Sequence, residues 1–360
     1  MTPSYNELPL VSILMPVRNE RDFIERSLGA VLAQDYPSDR VEILVVDGMS
    51  TDGTRQYIET VAADRPDLSI RLLDNPQKIV ATALNIGTRE ARGEILLRID
   101  GHCEIEGNHV QRCVELLSDS RQAPAGVGGP VESVSSKVAG AAIAAAMSSS
   151  FGVGDSAFRV GVKEARFADT IPFPAYPKAT LAAAGPYDEE LIRNQDDEYN
   201  YRIRGCCGQL LLDPDLRSRY YSRTSLGRLW RQYRQYGFWK VRVLQKHPRQ
   251  MSARQFAPAA LIAALLGGGV LALFVPPLWP VPLLIGGLYL AANLLASVGV
   301  ALDQGVRLLP ALPAAFAALH FGYGLGFLFG LLRFRNRWGD RSTLVDGKRR
   351  QPGEWLEVPE

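Results

Sequence analysis

The chain has 360 residues, room for roughly two domains of ordinary size, and its 47% hydrophobic and 22% charged content excludes intrinsic disorder. With 40 basic and 38 acidic residues the formal net charge is +2, which excludes the dominant basic field of a dedicated nucleic-acid binder. The charges are segregated: residues 216–255 hold eleven Lys or Arg and no Asp or Glu, and residues 256–302 hold no charged side chain.

In chain order, residues 1–8 are polar and include Pro3. The first apolar run, 10–15, is too short for the hydrophobic part of a signal peptide, so the N-terminal part is expected in the cytoplasm. Runs rich in Ile, Val and Leu at 11–15, 41–47, 69–73 and 94–99 predict strands, and 20–34, 52–63 and 78–92 predict the helices between them, the second behind a Ser50-Thr51-Asp52 cap cluster. This alternation implies an α/β fold with a mostly parallel sheet covered on both faces. Ligands bind such sheets beyond the carboxyl ends of the strands. Polar clusters sit at three of those ends: residues 16–20, 47–53 and 100–102. Any one of them is ordinary loop and cap chemistry, but three on one rim mark a site. Asp100 and His102, two residues apart, have the spacing to hold a divalent cation between protein and a diphosphate.

Further on, 139–146 predicts a helix of small residues, and 166–178, with Pro172, Pro174 and Pro177, an irregular loop. The run Asp196-Asp197-Glu198 reads either as an acidic first helical turn favoured by the helix dipole, or as a general base whose neighbours raise its pKa. Cys103, Cys113, Cys206 and Cys207 have no zinc spacing, fit a reducing compartment and receive no function.

The stretches Val-Ser-Ile-Leu-Met-Pro-Val-Arg-Asn-Glu (11–20), Val-Val-Asp-Gly-Met-Ser-Thr-Asp-Gly-Thr (45–54), Ile-Asp-Gly-His (99–102), Gly-Pro-Tyr-Asp-Glu (185–189) and Gln-Asp-Asp-Glu-Tyr-Asn-Tyr-Arg (195–202) together resemble the inverting family 2 glycosyltransferases, in order and spacing, over about residues 10–250. Within the family, 194–198 and 231–240 look most like the succinoglycan-type enzymes, which add a sugar to a lipid-linked saccharide. The resemblance implies a GT-A fold and a nucleotide-diphosphate-sugar donor. It places Pro16, Arg18 and Glu20 by the nucleoside, Asp47 on the base, Asp100 near ribose and diphosphate, Lys78 and Asn85 near the donor, and Asp196 as the catalytic base. Gln195, Asp197, Glu198 and Arg202 complete an acidic block on the acceptor side. Asp100 and His102 become the metal ligands for Mn²⁺ or Mg²⁺. The chain departs from the family pattern twice, with His102 for the second acidic residue of the Asp-x-Asp motif and Gly48 where a second Asp is expected.

Residues 217–254 interleave their cations with Trp230, Tyr233, Tyr236, Phe238 and Trp239, a composition suited to a bilayer interface and an anionic headgroup, with Arg231, Arg234 and Trp239 as the expected lipid contacts. The processive-synthase Gln-x-x-Arg-Trp motif is absent, so a single-sugar transfer is expected. Residues 256–274 and 280–302 predict two membrane spans joined by a proline turn. A third apolar stretch, 308–332, would place the tail on the far side of the membrane. The basic tail, with Arg333, Arg335, Arg337, Arg341, Lys348, Arg349 and Arg350, argues against that, and a re-entrant hairpin allowed by Pro310, Pro313 and four glycines would resolve the conflict.

The expected organisation is a GT-A catalytic domain (1–215), basic aromatic interfacial helices (216–255), a membrane region (256–332) and a basic cytoplasmic tail (333–360). The expected function is transfer of a hexose, UDP-glucose being the first donor, to a polyprenyl-diphosphate-linked saccharide in exopolysaccharide assembly. The chain would then be a multi-pass inner-membrane protein that touches membrane lipid, works within a polysaccharide assembly complex and binds no nucleic acid. The rivals are a polyprenyl-phosphate glycosyltransferase and, in another class, a non-catalytic nucleotide-sugar-binding membrane scaffold. A transporter is disfavoured by its need for a longer apolar core of paired repeats.

Overall fold

The structure is a computed structural model that describes residues 8–135, 137–221 and 225–351. Those residues form two compact units. The first lies within Met1–Glu132, Gly161–Tyr221 and Ser342–Glu360, the second within Ser133–Val160 and Ser222–Arg341.

In the first unit, β1 (Val11–Val17), α1 (Ile24–Leu32), β2 (Val41–Asp47), α2 (Thr54–Asp64), β3 (Ser69–Asp74), α3 (Val80–Glu90) and β4 (Ile95–Arg98) alternate as expected. They are followed by β5 (Cys103–Ile105), α4 (His109–Ser118), β6 (Gly126–Gly128) and β7 (Val131–Val134). Strands β3, β2, β1 and β4 pair in parallel, with Val17 opposite Asp47. Near-continuous apolar sequence suits strands covered on both faces. Ile13, Met15, Ile43, Val45 and Leu97 are buried with Ile24, Leu28 and Val31 of α1 and Ile58 of α2. Each such side chain contributes about 1.5–3 kcal/mol by leaving water.

After α5 (Val138–Met147), α6 (Ser150–Val153) and α7 (Ala157–Val160) of the second unit, the chain re-enters the first with β8 (Arg166–Ala168), β9 (Ala175–Pro177), α8 (Lys178–Ala184), α9 (Gln195–Cys206), β10 (Leu210–Leu212) and β11 (Ser218–Tyr221). The eight-stranded sheet has the order β3-β2-β1-β4-β9-β6-β10-β8. Residues 166–178 are therefore not simply an irregular loop: β9 runs antiparallel to both β4 and β6, and β8 closes the edge against β10. Three-residue strands are too short to show a period in sequence, and partners across the sheet define them. Arg219 of the basic segment likewise falls in a strand, because β11 pairs antiparallel with β5.

The second unit continues with α10 (Leu226–Lys246), α11 (Ala257–Phe274), α12 (Pro280–Gln304) and α13 (Leu312–Arg333). The last three are long and apolar enough to cross a membrane. The third apolar stretch is one continuous helix, not a re-entrant hairpin. Its glycines serve packing. A Cβ on Gly326 would stand 2.0 Å from the Arg234 carbonyl oxygen of α10, and one on Gly330 2.6 Å from that of Phe238. From the other side, a Cβ on Gly237 of α10 would meet the Tyr323 carbonyl at 2.0 Å. Small residues let the two backbones touch. Gly326→Leu is expected to force them apart and to cost about 1–3 kcal/mol, read as a lower thermal midpoint in detergent.

Beyond α13 the chain returns to the first unit as the hairpin β12 (Thr343–Val345) and β13 (Lys348–Arg350). The Leu344 N–H donates to Asp188 Oδ1 at 2.9 Å, the Glu189 N–H to the Leu344 carbonyl at 2.8 Å, and the Asp346 N–H to Glu189 Oε2 at 2.8 Å. Asp188, Glu189, Thr343 and Val345 are all buried, so the hairpin is built into this unit.

Candidate active site

The rim at the carboxyl ends of β1, β2 and β4 is laced by short-range polar contacts. After β1, the Asn19 N–H donates to the Ser50 hydroxyl at 2.9 Å, and Asn19 Oδ1 accepts from the Thr51 N–H at 2.9 Å. The Glu20 N–H donates to the Thr54 hydroxyl at 2.9 Å and the Arg21 N–H to Asp52 at 3.1 Å. Two turns separated by a strand pair thus hold each other, with Asn19 and Met49 in the left-handed region. Asn19 and Thr54 were given no role from the sequence, and Ser50 only that of a helix cap.

Pro16 lies in β1, and Arg18 follows the strand with Nη1 within 3.5 Å of the Lys78 carbonyl. The Arg18 side chain also explains Gly48: a Cβ at that position would lie 3.1 Å from Arg18 Cβ and Cδ. Where the family carries a second Asp, this chain lays an arginine stem. Asp47 is fully buried, and its carboxylate accepts from the Ser50 N–H and hydroxyl, with Arg55 Nη1 at 3.4 Å. Beside it the Asn75 N–H donates to the Asp47 carbonyl, while the buried Asn75 Oδ1 has no hydrogen-bond partner among the described residues. Lys78 sits in the left-handed region at the foot of α3. Asn85, in α3, spends its amide on the protein: it accepts from the Tyr187 N–H at 2.7 Å and donates to the Tyr187 carbonyl and Glu189 Oε1, both at 3.0 Å.

The centre of the site is a residue that the sequence reading passed over. Arg98, the last residue of β4, is buried between two carboxylates. Its Nε donates to Asp100 Oδ1 at 2.8 Å and Nη2 to Asp100 Oδ2 at 3.2 Å, while Nη1 is paired with Asp196 Oδ1. One guanidinium joins the motif after β4 to the first turn of α9. Burial alone would lower its pKa, but Asp100 and Asp196 hold it well above its ordinary value, so it stays charged. A lone arginine inside an apolar strand, Ile95-Leu96-Leu97-Arg98, was the available signal, because a buried cation demands partners.

Asp196 follows Gln195 at the start of α9, where the helix N-terminus favours negative charge. Burial pushes its carboxyl up from the ordinary value, Arg98 pulls it back, and Asp100 and Asp197 add to the rise. The side chain nevertheless keeps 43% of its surface accessible, so the crowding is one-sided and the carboxylate is open to solvent. Glu198 is different in kind. It is buried and paired with Arg202 at 2.7 Å, and Arg202 also donates to the Pro186 carbonyl at 2.8 Å and covers the Tyr199 ring. Tyr199 stacks on Tyr187 with ring centres 3.7 Å apart, which ties α9 to the loop held by Asn85.

His102 Nδ1 lies 2.9 Å from Glu20 Oε1, and its ring meets Tyr220 edge-on. Glu20 thereby orients the imidazole, the arrangement in which a carboxylate fixes a metal-ligating histidine. With Nδ1–H donating, the ring lone pair falls on Nε2. Among the described residues no three His, Cys, Asp or Glu side chains come together as a metal cluster. The donor set therefore fits a divalent cation only if diphosphate oxygens complete it, which is the usual habit of Mg²⁺ and Mn²⁺ at nucleotides.

In the second unit Arg231 and Arg234 are exposed on α10, while Trp239 is half-buried against Phe238 and Phe334. Cys206 and Cys207, expected as reduced thiols, are joined to each other at the end of α9, where the chain-neighbour sulfurs are within bonding reach, and Cys103 and Cys113 are buried free thiols.

Residues 12–140 match the family model described as Glycosyl transferase family 2. The succinoglycan biosynthesis protein ExoA of Rhizobium meliloti (strain 1021) is 31% identical over 329 residues, which cover 90% of this chain and 96% of that protein. The dolichyl N-acetyl-alpha-D-glucosaminyl phosphate 3-beta-D-2,3-diacetamido-2,3-dideoxy-beta-D-glucuronosyltransferase of Methanococcus voltae is 28% identical over 240 residues, or 66% of this chain and 74% of that one. Among solved structures, the mannosyltransferase PcManGT from Pyrobaculum calidifontis, in complex with GDP-Man and Mn²⁺, shares the fold with a TM-score of 0.56 at 20% identity, covering 89% of this chain and 88% of that chain.

Proposed function

The chain belongs to glycosyltransferase family 2, and from that premise we propose that it moves a hexose from a nucleotide-diphosphate sugar, UDP-glucose first among candidates, to a polyprenyl-diphosphate-linked saccharide with inversion. It is an enzyme of polysaccharide or glycan biosynthesis on a GT-A fold. The donor class is supported by the related mannosyltransferase PcManGT, whose structure holds GDP-Man. The acceptor class draws on the succinoglycan and dolichyl-phosphate names of the relatives.

The single observation that carries the reading is the Asp100–Arg98–Asp196 bridge. It sets a strand-end carboxylate suited to the donor diphosphate beside a carboxylate suited to an acceptor hydroxyl. In the proposed step, Asp196 takes the hydroxyl proton as the oxygen bonds to the anomeric carbon. The bond from that carbon to the diphosphate oxygen breaks with its electron pair, and the anomeric configuration inverts. Arg98 keeps the carboxylate aimed, and its charge offsets that of the departing diphosphate. Pro16, Arg18, Glu20, Asp47, Lys78 and Asn85 shape the donor side, and Gln195, Asp197, Glu198 and Arg202 hold α9. Asp100 and His102 would hold a divalent cation, which when bound neutralises the diphosphate.

Arg231 and Arg234, exposed on α10, would bind the anionic head of the acceptor lipid. They suit a single lipid phosphate as well, which keeps the polyprenyl-phosphate transferase as the second reading. Product analysis separates the two, since only that enzyme needs no saccharide on the lipid. The cytoplasmic face of the inner membrane, with partners in a polysaccharide assembly complex, is the proposed setting.

The test is UDP release and sugar transfer from a panel of nucleotide sugars, with lipid-linked acceptor and with or without Mn²⁺ or Mg²⁺. Metal-dependent turnover of one donor supports the reading. No turnover of any donor defeats it and favours the scaffold. His102→Ala is expected to raise the Mn²⁺ concentration for half-maximal rate at least about tenfold, and an unchanged requirement would move the metal site elsewhere.

A further inference from the structure

The tail hairpin has a topological consequence for the three apolar helices. The chain leaves the first unit after Tyr221 and rejoins it at Ser342. The return is fixed by main-chain hydrogen bonds to buried Asp188 and Glu189, and by Arg349 paired with Glu190 at 3.3 Å. A chain that departs from a folded body and comes back to it on one side of a membrane crosses an even number of times. Three helices long enough to span therefore include one that does not.

The second unit identifies that helix independently. In α11 and α12 the most apolar windows are only 17% and 11% buried, but in α13 the figure is 50%. Leu273, Leu283, Leu295 and Leu302 stand exposed on the first two helices, while α13 is covered along Gly322, Gly326 and Gly330 by the α10 backbone. Helix α10 carries Arg228, Arg231, Arg234, Lys240, Arg242 and Lys246. The two helices touch at successive levels, Gly322 by Trp230, Gly326 by Arg234 and Gly330 by Phe238. Placing α13 across the hydrocarbon would carry Arg228, Arg231 and Arg234, which lie on α10 alongside the stretch that meets Gly322 and Gly326, to the same depth, which membranes strongly disfavour.

We propose that the bilayer contact of this chain is a two-helix hairpin of α11 and α12, and that α13 does not cross but stays, sheathed by α10, on the face where the catalytic unit lies. The Val275–Trp279 connection, which has no charge, is then the part of the described residues that reaches the opposite face. The basic segments 217–254 and 333–350 and Arg307 share the first face, in agreement with the positive-inside rule. The inference rests on the membrane reading alone and not on the sugar-transfer reading.

The test uses the full chain, with Cys206→Ser and Cys207→Ser, in right-side-out and inside-out membrane vesicles. Single cysteines are introduced by Asp67→Cys in the catalytic unit, Pro277→Cys between α11 and α12, Arg307→Cys before α13 and Arg335→Cys after it, and are probed with a membrane-impermeant maleimide. The expected result is labelling of positions 67, 307 and 335 in one vesicle orientation and of 277 in the other. Labelling of 307 and 335 from opposite faces would show that α13 crosses and would overturn the proposal. Labelling of 277 and 307 from the same face would equally overturn it. Release of the chain from membranes by alkaline carbonate would instead remove the membrane reading on which it rests, leaving sugar transfer untouched.

Discussion

Asp196→Asn is expected to lower kcat by about 10²–10⁴-fold while donor affinity stays the same or tightens. The substitution keeps the shape of the side chain and its contact with Arg98, so the first turn of α9 and its hold on β4 survive. It removes the ability to accept a proton at the point where the acceptor hydroxyl must lose one. It also removes one of the two carboxylates that neutralise Arg98, leaving Asp100 alone to balance a buried guanidinium. A site that is more positive by one charge holds a diphosphate no more weakly. Steady-state turnover with calorimetric binding of the nucleotide sugar separates the two effects. Wild-type turnover in the variant would remove Asp196 from the mechanism, and a parallel loss of donor binding would reduce it to a structural residue.

Arg98→Gln is expected to give the second large effect, at least about a hundredfold in kcat/KM, and to move the pH profile. A base works only when deprotonated, so the rate falls as pH drops through the pKa of Asp196. Burial and the neighbouring carboxylates hold that pKa above the ordinary carboxylate value, and Arg98 opposes them. Removing the cation deletes the opposing contribution and leaves Asp196 facing Asp100 without a mediator. The acidic limb of the profile must therefore shift to higher pH. A limb that stays in place, or moves down, would contradict the assigned role. Arg98→Lys restores charge but not the fork that engages both Asp100 oxygens. It is expected to return the limb towards its original position while recovering only part of the rate.

The candidate site was legible in outline because strand-end positions are set locally. A run such as Val11–Val17 must be a strand, the residues after it must lie on the rim, and so Arg18, Glu20, Asp47, Asp100 and His102 could be named without coordinates. Contacts between distant segments carry no such mark. Arg98 and Asp196 are 98 positions apart, and nothing in either neighbourhood names the other. Asn85 was matched to the donor side by resemblance, but its amide is engaged by Tyr187 and Glu189, 102 and 104 residues away. The glycines of α13 were legible as unusual, and a re-entrant turn and a tight helix interface call for the same residue type. Only the facing helix α10 distinguishes them.

By itself the sequence determined the class of fold, the polar rim, the acidic run 196–198 and the first two apolar helices to within about two residues. Those features follow from periodicity, side-chain volume and charge within a window of one element, which are properties of contiguous chain. The tertiary structure alone decided that β8 and β9 are strands, that one buried arginine joins Asp100 to Asp196, and that residues beyond the apolar helices belong to the catalytic unit. Each of these depends on a partner far along the chain. A buried charge or an unpaired backbone edge states that a partner is required, and the choice among candidates is made by the packing of the whole.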